Sequence, residues 1–193
     1  MVQTVTELTS DLSLKRWTVD DYHRMIAIGL LTPDDRVELL DGQIVKMMPQ
    51  DPPHASTIDE STDYLKTLFA GKAKVRAQLP ITLTPDSEPE PDIAIVKIDP
   101  QRYRDRHPAP ADVFLLIEIA DSTLKHDRTH KSKIYARAGI LEYWVVDINQ
   151  RQVIVFRTPQ VDGYQSEQVL AANTQLAAIA FPDVLVNLRN LLL

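Results

Sequence analysis

Glu118 stands inside the run Phe114-Leu115-Leu116-Ile117-Glu118-Ile119-Ala120, which otherwise has the composition of a buried strand. Taking a lone carboxylate out of water is costly, so such a residue must be protonated, paired with a base or bound to a cation. Exposure at the strand's end, or pairing with an arginine, is the bland alternative. A second acid, Asp92, follows Pro91 and opens the apolar stretch Ile93-Ala94-Ile95-Val96. If the two stretches are neighbouring strands, their carboxylates can converge on one hard cation such as Mg²⁺ or Mn²⁺. Magnesium takes one or two protein carboxylates and fills its shell with water and substrate phosphate. Pro-Asp is equally a good turn. A third group is Asp127, Lys131 and Tyr135, spaced i, i+4, i+8 on one face of a helix. Around them lies the densest basic cluster of the chain: Lys125, Arg128, Lys131, Lys133 and Arg137, with His126 and His130. One such cation over a metal can orient water and stabilise charge on a phosphate. The same spacing also suits a plain surface ion pair, worth roughly a few tenths of a kcal/mol.

The elements that must position these groups follow from pattern. Thr18 can cap a helix carrying Tyr22, Met25 and Ile26, ended by Gly29 or Pro33. Val37–Leu40 and Gln43–Met47 flank Asp41-Gly42, a strong hairpin signal. A second helix is predicted from Pro53 to Ala70. The alternation Val75, Ala77, Leu79, Ile81, Leu83 predicts one half-buried strand. Strands follow at Asp92–Val96 and Val113–Ile119, separated by a proline-rich loop bearing Arg102, Arg104 and Arg106. The basic helix runs from about Asp127 to Ala138. Tyr143–Val146 and Val153–Phe156 form a second hairpin, then a strand near Tyr164–Leu170, then a short helix after Pro182. Helices and strands mix without strict alternation, so the class is α/β (α+β) with a mixed β-sheet.

At 193 residues, with 44% hydrophobic side chains, the chain can bury a full core. No apolar run approaches the roughly 18 residues of a membrane helix, so no membrane partner is expected. The absence of cysteine excludes disulfide frameworks and thiolate sites, and fits a cytoplasmic protein. Residues 1–16 read as a flexible leader without the features of a secretory signal, and 17–193 as a single domain. The formal charge of −6 counts against simple coating of DNA, although a nuclease must itself gather acids around its metal.

In order, Glu38-Leu39-Leu40-Asp41-Gly42, His54, Pro89-Glu90-Pro91-Asp92, Ile117-Glu118-Ile119, Asp127, Lys131, Tyr135 and Glu142-Tyr143-Trp144-Val145-Val146-Asp147 resemble the putative restriction endonuclease family. That family, formerly a domain of unknown function, belongs to the PD-(D/E)XK nuclease superfamily. The resemblance runs from Trp17 to Leu193. It implies a restriction-endonuclease-like core sheet flanked by helices with extra hairpin strands, and an Mg²⁺- or Mn²⁺-dependent endonuclease acting on nucleic acid, DNA in the first place. It further implies Asp92 and Glu118 as metal ligands, helped by the Ile119 carbonyl, Glu38 as an additional acid and Lys131 as the catalytic lysine. The superfamily usually places that lysine two residues after the acid. Ala120 stands there in this chain, a departure from that pattern; the resemblance implies a lysine on the following helix instead, a place that Lys131 matches, with Lys133 as a second candidate. Glu38 reads equally as an exposed hairpin acid.

His54, at a helix start, can touch a phosphate or make only a local contact. Gln78 is expected to line the cleft, and Arg102, Arg104 and Arg106 to meet the nucleic-acid backbone. Tyr135 and Trp144 are expected as core or cleft-wall aromatics. A homodimer is compatible with cutting two strands. Fold alone does not establish activity. A catalytically inactive nucleic-acid-binding module, or an enzyme for another phosphate ester, therefore stands beside the nuclease reading.

Overall fold

The computed structural model describes residues 14–192. Residues 1–13, most of the expected leader, lie outside the described residues. Thr18 caps helix α1 (Val19–Ala27) through a reciprocal box with Asp21. The Asp41-Gly42 turn joins strands β1 (Val37–Leu40) and β2 (Gln43–Lys46), paired antiparallel. Helix α2 (Pro52–Leu68) starts with prolines where no N–H partner is needed, capped by Asp51.

Six strands form the main sheet: β3 (Lys74–Ala77), β4 (Ile93–Val96), β5 (Val113–Ala120), β6 (Glu142–Asp147), β7 (Gln152–Gln160) and β8 (Gly163–Ala171), side by side in that order. Every pair is antiparallel except β5–β6, which is parallel. The crossover between those two is helical: α3 (Leu124–His126), a π-helical turn (Asp127–Lys131) and α4 (Ser132–Arg137). Alternate residues bury on opposite faces. Leu115, Ile117 and Ile119 pack with Ile58, Leu65 and Phe69 around α2, while Leu116 and Ala120 pack with Ile134 and Tyr135 of α4. No helix among the described residues is long and apolar enough to cross a membrane.

Three expectations need correction. The strand expected over 75–83 pairs only to Ala77, where β3 meets Ile93. Gln78 turns to φ +51° and Pro80 has no N–H to donate, so the ladder stops. Val75 then buries in one core layer while Ile81 and Leu83 bury in the other, and Leu79 is 45% exposed. The basic helix begins at Leu124, earlier than expected, and holds the π turn. After Pro182 a strand comes first, β10 (Leu185–Asn187) paired with β9 (Gln175–Ala177), and the short closing helix follows only at Leu188–Leu191, as a 3-10 helix. Val184, Val186 and Leu188 are buried with Leu185 exposed between them, the period-two spacing of a strand.

Candidate active site

The antiparallel register Ile93↔Ile117 sets Asp92, just before β4, opposite Glu118, near the end of β5. The two acids are laced through the backbone. The Ile119 N–H donates to Asp92 Oδ2 at 2.8 Å, and the Asp92 N–H donates to Glu118 Oε2 at 3.3 Å. Glu118 falls between Leu116 and Ala120 in the alternation, so it faces the α4 side of the sheet. There its Oε1 accepts from the Tyr135 hydroxyl at 2.7 Å and from Lys131 Nζ at 3.0 Å. Lys131 Nζ also lies 3.8 Å from Glu38 Oε1, while Glu38 Oε2 accepts from the Glu90 N–H at 3.1 Å. His54, in the first turn of α2, sets Nε2 3.5 Å from Asp92 Oδ1. Glu38, Asp92, Glu118, Asp127 and Lys131 are all nearly buried, and all line one cavity of about 590 Å³.

Four carboxylates thus surround one ammonium and one imidazole. Burial pushes the Glu118 carboxyl well above its ordinary range; Lys131 opposes this, and Asp92 and Asp127 add to it. Burial likewise raises Asp127. Burial pulls Lys131 down, but the summed attraction of Glu118, Glu38, Asp127 and Asp92 outweighs it and raises the lysine above its usual value. The hydrogen bond to Asp92 raises His54. Burial is thus the first cause for the two acids, whereas the acids' attraction raises Lys131 and His54; the resulting negative local field favours added positive charge, whether proton or metal.

The π turn has a positioning effect. The Ser132 N–H reaches back to the Asp127 carbonyl, an i→i+5 bond that widens the helix by a residue. Asp127, Lys131 and Tyr135 are all buried toward the sheet, rather than forming a surface pair. Lys131 reaches Glu118, whereas Lys133 is exposed and does not line the cavity. Gln78 does line it; Arg102 and Arg104 sit on an exposed loop and do not. Trp144 is core, its indole N–H donating to the buried Glu142.

Sequence reasoning assigned no site role to Asp127, Glu90, Arg36 or His126, which also line the cavity. Asp127 was visible as the first member of the i, i+4, i+8 face. Glu90 was visible only as the acid between Pro89 and Pro91, and nothing in the local pattern marked Arg36.

A mixed sheet flanked by helices, with acids at the adjoining ends of two antiparallel strands, defines a restriction-endonuclease-like fold. The chain belongs to the family described as "Uma2: Putative restriction endonuclease", which it matches over residues 19–189. It is also similar to a solved structure from Anabaena variabilis ATCC 29413, described as a putative nuclease belonging to DUF820. The TM-score is 0.67 at 19% sequence identity, covering 90% of this chain and 96% of that one. At that identity the likeness speaks for the fold. No curated protein matches the sequence.

Proposed function

We propose that the chain is a metal-dependent endonuclease that hydrolyses phosphodiester bonds of nucleic acid, DNA in the first place. The observation that carries this reading is the meeting of Glu38, Asp92, Glu118 and Lys131, from four separate elements and each nearly buried, in one cavity. Among the described residues no group of three or more His, Asp or Glu side chains is placed to hold a metal ion. The donor set still fits Mg²⁺ or Mn²⁺, because two carboxylates with water and phosphate oxygens suffice for such an ion. Asp92 and Glu118 would hold it, and the negative field of the four acids favours it.

When bound, the cation supplies a Lewis acid for a phosphoryl oxygen and lowers the pKa of an attacking water. The surrounding acids favour the charged form of Lys131. It therefore serves as a fixed positive charge that orients water and steadies charge on phosphorus, and not as a general base. Tyr135 and the Asp92 N–H hold Glu118 in place. Glu38 faces Lys131 across the cavity and orients it. His54 stands beside Asp92, where its imidazole can meet a phosphate oxygen. Arg102 and Arg104 are assigned to more distant backbone phosphates, and Lys133 to a peripheral one.

The test pairs cleavage with binding. Plasmid and oligonucleotide substrates are incubated with Mg²⁺ or Mn²⁺, and Mn²⁺ is titrated calorimetrically into the parent, Asp92→Ala and Glu118→Ala. Metal-dependent cleavage, with saturable Mn²⁺ binding lost in both variants, supports the reading. One observation favours a second reading: both Glu118 oxygens already have protein partners. A non-catalytic nucleic-acid-binding module would bind oligonucleotides, cut none, and bind Mn²⁺ weakly and equally in all three proteins.

A further inference from the structure

A second cavity, of about 450 Å³, adjoins the candidate active site and plays no part in the chemistry above. Both cavities are lined by Arg36, Met47, Gln78 and Glu90, so they are two compartments of one cleft. The Glu90 N–H that donates to Glu38 at 3.1 Å puts this shared wall one hydrogen bond from the proposed machinery.

The far wall is apolar. It is made by Tyr22 and Ile26 of α1 and by Leu31 and Pro33 after it. The Tyr22 hydroxyl is engaged with the Val37 carbonyl at 3.0 Å, so its contribution to the wall is apolar. Ile26 is 47% exposed, left uncovered by any described element. The near wall is polar. Gln78 and Arg36 both adopt left-handed backbone, at φ +51° and +47°. Such conformations are sparse for residues with a side chain and gather at functional sites. Among the described residues no hydrogen bond engages either side chain. The Glu90 side chain lines the same wall.

An apolar wall facing a carboxamide, a carboxyl and a guanidinium suits a flat heteroaromatic group with polar edges, and the volume is that of a small-molecule site. Beside a phosphodiester site, that group is a base of the substrate itself. A base stacked and paired in a duplex cannot enter such a compartment without leaving the stack. We propose that this compartment binds an unpaired nucleobase next to the scissile phosphate. Single-stranded or splayed nucleic acid is then the preferred substrate class. The inference rests on the nuclease reading for its location, and goes beyond it in naming the substrate's form.

The test is fluorescence anisotropy with a short labelled oligothymidylate and with the same strand paired to its complement, in Ca²⁺, alongside Mn²⁺ cleavage of both. The expected result is single-strand binding and cutting preferred by roughly tenfold. Ile26→Asp should weaken single-strand binding by roughly five- to tenfold while leaving the duplex unchanged, and Gln78→Gly should weaken single-strand binding by a similar factor. The glycine variant keeps the left-handed backbone unstrained, and the aspartate sits on an exposed face, so both are expected to fold. Equal or tighter duplex binding, or variants that match the parent, would overturn the proposal. Variant-sensitive single-strand binding without any cleavage would sustain the compartment and remove the catalytic reading. Failure to bind either probe would remove both.

Discussion

Lys131→Met removes the ammonium from the acid cluster while keeping a long apolar stem. In the parent that ammonium is 3.0 Å from Glu118 and 3.8 Å from Glu38. Deleting one partner of a buried pair strands the other, at a cost of about 3–5 kcal/mol. The cost must depend on pH. Burial already holds the Glu118 carboxyl well above 4.5, and Lys131 is its largest opposing influence; without the lysine the carboxyl rises further. A carboxyl whose folded pKa exceeds its unfolded one contributes in full below the unfolded value of 4.5. Its contribution is lost as pH climbs toward the folded value, at about 1.4 kcal/mol per pH unit. Urea unfolding should therefore place the variant about 3 kcal/mol or more below the parent at pH 8, and by clearly less at pH 5. Adding Glu118→Gln to the variant should restore much of the loss at pH 8, because no buried charge is then stranded there. A deficit equal at both pH values, or below about 1 kcal/mol at pH 8, would refute the reasoning and place the pair in the class of weak exposed bridges.

Glu118→Gln alone keeps one acceptor for Lys131 and Tyr135, but it sets an amide N–H against the Asp92 N–H and leaves the buried ammonium only its more distant acids. Its melting temperature should fall below the parent's, and Mn²⁺-dependent cleavage should drop by roughly a hundred- to a thousandfold. Tyr135→Phe deletes the 2.7 Å hydrogen bond to Glu118 and should cost about 1–2 kcal/mol in urea unfolding. Gly42→Ala should cost about 1–3 kcal/mol: φ is +72° and the new Cβ would lie 2.6 Å from the Arg16 Cβ. Thermal unfolding reads this directly. Replacing Arg102 and Arg104 together by alanine should leave stability unchanged and lower the salt slope of oligonucleotide binding by roughly one per arginine.

Where local pattern and burial agree, sequence reasoning located the elements closely. Asp-Gly set the hairpin, Thr18 the first helix, and the unbroken apolar run the central strand β5. Glu118 was legible because a charge in such a run is expensive. Its partners were legible only in part, since the distance between Lys131 and Glu118 depends on how a helix docks on a sheet. The alternation from Val75 to Leu83 misled for a related reason. Periodicity of two records which side chains share a face only while the strand continues, and Gln78 redirects the chain so that the later residues serve the opposite core layer. The residues after Pro182 carried strand spacing, but their partner β9 lies in a separate short segment with little apolar signal of its own. The second compartment of the cleft was not legible at all. It is assembled from α1, the loop after it, the end of β3 and the segment before β4, which converge only in the fold.

The wide turn at Asp127–Lys131 also bears on heat tolerance. A lysine at position 120 would ride on β5, in the middle of the sheet, and would keep its place until the sheet itself came apart. Lys131 instead rides on a short helical crossover, between a three-residue and a six-residue segment. Segments of that kind open locally at less than the global unfolding free energy. On warming, the ammonium would leave the acids while the six strands still stood, so the proposed cleavage would fade at temperatures where the protein remains folded, and return on cooling.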